Sequence, residues 1–316
     1  MEKNDKIFIA GHEGMIGSAI LRRLEESGFN KLVTKTSAEL DLTDQTRVAG
    51  FFTTERPEYV FLAVTRLGGI MANTRFPADF IYTNLTSQTS VIHAAYKHGV
   101  KKLLFLASSC IYPGECPQPM KEEYLLTGKP EPSSEAYAVA KIAGIKMCQA
   151  YNRQYGTKYL PVVPADVYGP GDDFNTETGH VLPSLMAKIH RAKTNNEPEV
   201  AVWGTGSPRR ECLYVDDLAD ACILLMNRDV DYDPINIGSG EDITIKEMAQ
   251  TIKEIAGYKG SLVFDASKPD GAPQKLLDIS RIKKLGWQPE TGRREGIKQT
   301  YEWYQAHIAS THSGEM

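Results

Sequence analysis

A phenol and an ammonium stand four residues apart in Tyr137-Ala-Val-Ala-Lys141, a spacing that puts both side chains on one face of a helix. The pairing has a chemical use. A free tyrosine, with a pKa near ~10, exchanges protons poorly at neutral pH, whereas an adjacent Lys ammonium stabilises the phenolate and brings exchange within reach. Such a phenol can protonate the oxygen of a ketone as hydride arrives at its carbon. Ser108 and Ser109 close the run KLLFLASS, at the carboxyl edge where open α/β sheets place their sites, and a hydroxyl there can hold the same oxygen in line. The Tyr–Lys spacing alone also fits a solvated helical face. Joined to Ser108 and to a glycine loop near the N-terminus, it becomes selective.

Cys110 lies two residues beyond Ser108, which on an extended chain points it to the same side, and His180 follows in a polar loop. A thiol and an imidazole titrate within reach of neutral pH. Protons on carbon beside a ketone are acidic, so one group can remove such a proton while the other returns one to the opposite face, inverting that carbon. Taken in isolation, Cys110 reads equally as a small buried hydrophobe and His180 as an incidental loop residue.

These groups need elements to hold them. The N-terminal half alternates short β-branched runs with amphipathic stretches: KIFIAG, then a helix through Ile16, Ile20 and Leu24; KLVTKT; YVFLAV, then a helix from about Ala78 to His98; KLLFLASS, then a helix over 136–155; and YLPVVPADVYG. Strand, helix, strand in this rhythm means parallel βαβ units. Past Gly169 the elements shorten, with Gly and Pro between them, and a closing helix is expected near 293–306. The expected fold class is therefore α/β, a doubly wound parallel sheet (Rossmann) with a smaller α/β substrate-binding domain. Residues 1–170 plus about 213–237 form the dinucleotide-binding domain and 171–212 plus 238–316 the substrate domain, with THSGEM as a frayed tail.

Gly11-His-Glu-Gly14-Met-Ile-Gly17 follows the first strand and opens the first helix, the context a dinucleotide fingerprint needs. Glycine lets the backbone approach a pyrophosphate, which then sits at the positive end of the helix. An acid about 20 residues beyond the fingerprint usually grips the ribose 2′-hydroxyl of NAD; here that strand ends Lys35-Thr36-Ser37. Lys35 and Ser37 point instead to the 2′-phosphate of NADP(H), while Glu13 brings negative charge to the same loop and leaves NAD(H) open. The bland alternative for Lys35 and Glu13 is a pair of solvated loop charges. Met15, Ile16, Asp41, Leu42, Ala63, Pro164, Asp166 and Val167 complete the candidate cofactor contacts, beside Tyr137, Lys141 and His180.

Composition excludes several other classes. The formal charge of −4, with no block of Lys and Arg, argues against nucleic acid. No stretch approaches the roughly 20 apolar residues of a membrane span, and MEKNDKIFIAGHEG lacks the features of a signal peptide, so a cytoplasmic protein is expected. Five cysteines without a CxxC pair fit reduced thiols better than disulfides or zinc, and nothing points to a metal.

Over most of its length the chain resembles the GDP-L-fucose synthase family of extended short-chain dehydrogenases. The segments that carry the likeness include IAGHEGMIGSAI, GGIMANTRFPADFIYTNL, SSCIYP, YAVAKIAGIKMCQAYNRQYGTKY, HVLP, VWGTGSPRRE and VFDASKPDGAPQKLLD. The resemblance implies inversion at the two carbons flanking the C4 ketone of GDP-4-keto-6-deoxy-mannose, then reduction of that ketone with NADPH. It implies Ser108, Tyr137 and Lys141 as the reductive triad, and Cys110 and His180 as the epimerising base and acid. Trp203 and Arg210 fall at nucleotide-sugar positions, an Arg fork suiting a diphosphate, and Asp270, Lys275, Ser109 and Lys188 are further substrate candidates. The alternative for Arg210 is a surface ion pair with a neighbouring acid. A homodimer built on helices of the first domain is also implied.

The chain departs from that family at Glu13 and Ser37, where Arg is usual, and at Thr65-Arg66, Asp166, Cys212 and Tyr214. Two rival readings remain: a C3/C5-epimerase or C4-reductase for another GDP-4-keto sugar, such as a heptose or dideoxy sugar, and a non-catalytic Rossmann protein that senses its cofactor. Intact Ser108, Tyr137 and Lys141 speak against a sensor, which has no use for a proton donor.

Overall fold

In a computed structural model the described residues are 1–65, 68, 70–268 and 270–309; Arg66 and the tail 311–316 lie outside them. Strand β1 (Ile7–Ala10) is buried along its whole length, as a strand inside a parallel sheet must be, and turns into α1 (Met15–Glu26). The short β2 (Leu32–Val33), α2 (Gln45–Glu55) and β3 (Tyr59–Leu62) follow, with Asp44 capping α2 by accepting from the amides of Thr46 and Arg47. Next come α3 (Ile70–Arg75) and α4 (Pro77–Lys97), whose first turn carries Pro77 and Asp79, residue types that suit a helix start. The first half closes with β4 (Lys102–Leu106), α5 (Glu135–Tyr155) and β5 (Tyr159–Pro164).

The second half runs β6 (Asp166–Tyr168), α6 (Val181–Thr194), β7 (Glu199–Trp203), β8 (Arg209–Tyr214), α7 (Val215–Asn227) and β9 (Ile235–Ile237). It continues through β10 (Asp242–Thr244), α8 (Ile245–Ala256), β11 (Ser261–Asp265), β12 (Gln274–Lys275), α9 (Ser280–Lys284) and α10 (Arg293–Tyr304). A capping box between Thr244 and Glu247 starts α8.

The main sheet is wholly parallel, in the order β2-β1-β3-β4-β5-β9. The chain leaves β1 for β2 on one side and returns to β3 on the other, so the carboxyl end of β1 is a topological switch point, where such folds bind ligands. This is the doubly wound α/β fold expected from the sequence. A second sheet places β8 between β10 and β12, with β6 also on β8, and β7 pairs with β11. YLPVVPADVYG, read as one strand, is two: Ala165 still donates to Ile237 of the main sheet, and from Asp166 the chain pairs with β8 of the second sheet instead.

Each sheet region has its own core. One gathers the strands of the main sheet with Ile20, Leu24, Phe52 and Ile92; the other joins Leu185 and Met186 of α6 to Met248 and Ile252 of α8 and Ile297 of α10. Leu277, Ile279, Ile282 and Trp287 pack into the first core, so the chain visits it again after β12.

Candidate active site

The reactive cluster forms where β4 ends. Ser108 is the N-cap of a single 3₁₀ turn, Ser109–Ile111, and its Oγ accepts the Cys110 amide at 3.4 Å. Cys110 therefore comes beside Ser108 through a turn, and the extended chain assumed from sequence is corrected, although the two side chains still share a site. Tyr137 and Lys141 arrive on α5, which can lie this close to β4 because residue 144 is Gly: a Cβ there would stand 2.4 Å from the Phe105 ring. Cys110 and Tyr137 share a small apolar cluster with Ala72, Phe80 and Ala138.

Burial dominates the electrostatics. Tyr137 and Lys141 are 4% and 2% exposed. Desolvation disfavours whichever form is charged, so it lowers the Lys141 ammonium to about 8 and pushes the Tyr137 phenol up. Hydrogen bonds with Thr65 and Ser108 pull the phenol back only in part. The depressed phenol expected from the Tyr–Lys pairing is thus corrected: Lys141 donates instead to the Leu106 carbonyl at 2.9 Å. Burial also raises the Cys110 thiol, against the lowering pull of its bond with Ser108 and the charges of Lys275 and Lys141.

Ser108, Cys110 and Tyr137 open into a cavity of about 280 Å³, whose other walls bring together Ser109, Asp166, His180, Lys188, Trp203, Arg210, Asp270 and Lys275. His180 stands at the residue before α6 and its side chain makes no capping bond to that helix. The Lys188 and Lys268 ammoniums lie 4.6 and 5.7 Å from the Trp203 ring centre, a cation–π arrangement on an aromatic that is 43% exposed. Arg210 donates to the carbonyls of Arg209 and Ala272 at 2.8 and 2.7 Å; its neighbour Arg209 makes the ion pair, with Asp242 at 2.6 Å. Asp270 lines the cavity but its carboxylate is engaged, accepting from the Thr205 amide and hydroxyl at 2.7 and 2.9 Å, so it shapes the loop after Trp203.

The loop after β1 fits a dinucleotide. Gly11 adopts φ +93°, and a Cβ on Gly17 would stand 2.0 Å from the Gly11 oxygen, so only glycine makes this tight turn into α1. His12 Nδ1 is buried in the same loop with no hydrogen-bond partner among the described residues. Ala63 ties the end of β3 to this loop by donating to Ala10 at 2.9 Å. Across the rim, Glu13 accepts the Ser37 amide at 3.1 Å, and Lys35 faces Glu39 at 3.6 Å. Asp41 accepts from the Thr43 amide and hydroxyl, with half-buried Leu42 beside it. Pro164 ends β5, and Val167 lies in β6.

Two further residues support the site: Thr65, which the sequence marked only as a departure from the family, and Glu211, which sequence reasoning missed. The Thr65 hydroxyl lies within hydrogen-bond distance of both Asn84 Oδ1, at 3.0 Å, and the Tyr137 hydroxyl, at 3.3 Å, and its one proton serves one of them at a time. Glu211 is 2% exposed and its carboxyl is raised to about 7 by burial. It accepts the amides of Gly240 and Leu277 at 2.6 and 2.8 Å, tying β8, and with it Arg210, to both flanking segments. No local pattern announced it, because its partners are 29 and 66 residues away.

The sequence profile of the NAD dependent epimerase/dehydratase family matches residues 7–238. The chain is 55% identical over 309 residues to "GDP-L-fucose synthase 1" of Arabidopsis thaliana, covering 98% of this chain and 96% of that one. Among solved structures, a GDP-mannoheptose C4 reductase from Campylobacter jejuni with NADP bound is 43% identical, with a TM-score of 0.88 over 96% of this chain and 99% of the other. A GDP-L-fucose synthetase from Naegleria fowleri bound to NADP is 31% identical, with a TM-score of 0.92 over 98% and 95%.

Proposed function

Since the chain belongs to the NAD dependent epimerase/dehydratase family, we propose that this cavity converts GDP-4-keto-6-deoxy-D-mannose to GDP-L-fucose with NADPH, as a combined 3,5-epimerase and 4-reductase. The observation that carries this reading is the meeting of Ser108, Cys110, Tyr137 and His180 in one cavity with the cationic wall of Lys188, Arg210 and Lys275.

Cys110 and His180 exchange the protons at C3 and C5: one takes a proton from the carbon beside the ketone, leaving an enolate, and the other returns a proton to the opposite face. Ser108 hydrogen-bonds the C4 oxygen while negative charge collects there. NADPH supplies the hydride for C4. Tyr137 gives its proton to the C4 oxygen, and the buried Lys141 ammonium stabilises the phenolate left behind. The reaction balances as one hydride and one proton added across the C4 carbonyl, with the epimerisations leaving the proton count unchanged.

Gly11, Gly14 and Gly17, with the start of α1, hold the pyrophosphate of the dinucleotide, and Lys35 and Ser37 edge its ribose. Arg210 and Lys275 take the diphosphate of the sugar nucleotide, which an Arg fork suits, and Trp203 offers a face for stacking. A homodimer through α4 and α5 belongs to the same reading, supported by Tyr82 and Tyr155, exposed at 66% and 45% on those helices; monomer alone in sedimentation removes it. No helix among the described residues is long and apolar enough to cross a membrane, and a cytoplasmic location fits this reading.

The test is incubation of the purified protein with GDP-4-keto-6-deoxy-mannose and NADPH, with the product sugar identified by NMR. GDP-L-fucose is expected. Folded protein that binds the cofactor and leaves this sugar unchanged would redirect the reading to another GDP-4-keto sugar.

A further inference from the structure

In the segment that follows β2, where a dinucleotide ribose would lie, the charges are arranged in an unexpected sense. Doubly wound sites set an acid beside the ribose 2′-hydroxyl when they take NAD, and a cation beside the 2′-phosphate when they take NADP. Here the acid comes from the glycine loop itself. Glu13 reaches across to the turn that follows β2 and accepts the Ser37 amide at 3.1 Å. The cations of the same rim are engaged elsewhere. Lys35 faces Glu39 at 3.6 Å. Glu39 is held in turn by the Thr36 amide and hydroxyl at 2.8 and 2.9 Å, and Arg47 donates to the Glu39 carbonyl at 2.7 Å.

We propose that Glu13 sets the choice of dinucleotide: its carboxylate accepts from the 2′-hydroxyl of NADH and opposes the 2′-phosphate of NADPH, so that NADH serves this chain alongside NADPH. A phosphate arriving at this rim meets a carboxylate bonded to the Ser37 amide, and Lys35 meets it only by leaving Glu39. The 2′-hydroxyl of NADH has neither difficulty, since a carboxylate is a strong acceptor for it.

The inference rests on the dinucleotide reading of the glycine loop and needs no sugar substrate, so it is tested by binding alone. Dissociation constants for NADH and NADPH are measured by calorimetry on the whole protein, its Glu13→Gln variant and its Glu13→Arg variant. Glu13 is exposed, so both variants are expected to fold. The unaltered protein should bind the two dinucleotides within about tenfold of each other, and Glu13→Arg should tighten NADPH by about tenfold without tightening NADH. Glu13→Gln should shift NADPH in the same direction by less. A preference of the unaltered protein for NADPH well beyond tenfold, or an equal effect of Glu13→Arg on both ligands, would overturn the proposal. Binding of neither would overturn the dinucleotide reading with it, whereas failure to turn over a particular GDP-sugar would leave this measurement intact.

Discussion

The Lys141 ammonium lies 5.8 Å from the centre of the Tyr137 ring and donates to the carbonyl of Leu106 at 2.9 Å. The one-turn spacing brings the pair onto one face, but the end of β4 takes the direct bond. Lys141 therefore makes no direct bond to the phenol, and any stabilisation of a phenolate by its charge has to act across the intervening space.

Burial holds Lys141 at about 8, so its charge is present below that pH and lost above it. If the ammonium stabilises the phenolate, kcat/KM falls as pH rises through about 8. Lys141→Met should remove that limb and lower kcat/KM by roughly 10²–10⁴ at pH 7. A pH profile of the unaltered protein that stays flat from 7 to 9 would contradict this.

Tyr137→Phe deletes one hydroxyl, partnered by Thr65 at 3.3 Å, and leaves the ring in its apolar cluster. Ketone reduction should fall by roughly 10²–10⁴, while dinucleotide affinity changes less than about threefold. Fluorescence titration alongside steady-state rates separates the two effects; a cofactor-sensing protein would show no turnover to lose.

Cys110→Ser keeps the size of the side chain and raises the cost of deprotonating it. Exchange of the C3 and C5 protons with deuterated solvent should be lost, while reduction of a 4-keto sugar that is already epimerised continues. A variant that exchanges at the original rate would remove Cys110 from the epimerising pair.

Glu211 tests the scaffold. Its folded-state value, raised to about 7 from 4.5 by burial, means that between these pH values the folded chain keeps a proton the unfolded chain has released. This group's contribution to stability thus falls as pH rises from 4.5 through 7. Glu211→Gln abolishes the dependence, so the Tm of the variant relative to the unaltered protein should rise by roughly 5 °C between pH 5 and 8. A difference independent of pH would contradict it.

What the sequence made legible follows from locality. Strand–helix alternation, the glycine turn and the Tyr–Lys spacing are set within one or two turns of chain, and each maps directly onto β1, α1 and α5. The pairing of β6 with β8 was hidden because a strand that changes sheets has no signature in its own residues. The upward push on Tyr137 was hidden for a similar reason: burial depends on Phe80 and Ala72, elements distant in sequence, whereas helical spacing names only the Lys. Among the candidate substrate residues, the engagement of Asp270 by Thr205 was equally out of reach, since 65 residues separate them.

A single reaction in D₂O probes whether one cavity performs both proton exchange and reduction. The protein is mixed with GDP-4-keto-6-deoxy-mannose and excess NADPH in D₂O, and the product is read by NMR. The expected product is GDP-L-fucose carrying deuterium at C3 and C5 and protium, from the nicotinamide, at C4. A reduced sugar without deuterium at C3 and C5 would contradict the combined activity, and so would an exchanged sugar whose ketone remains.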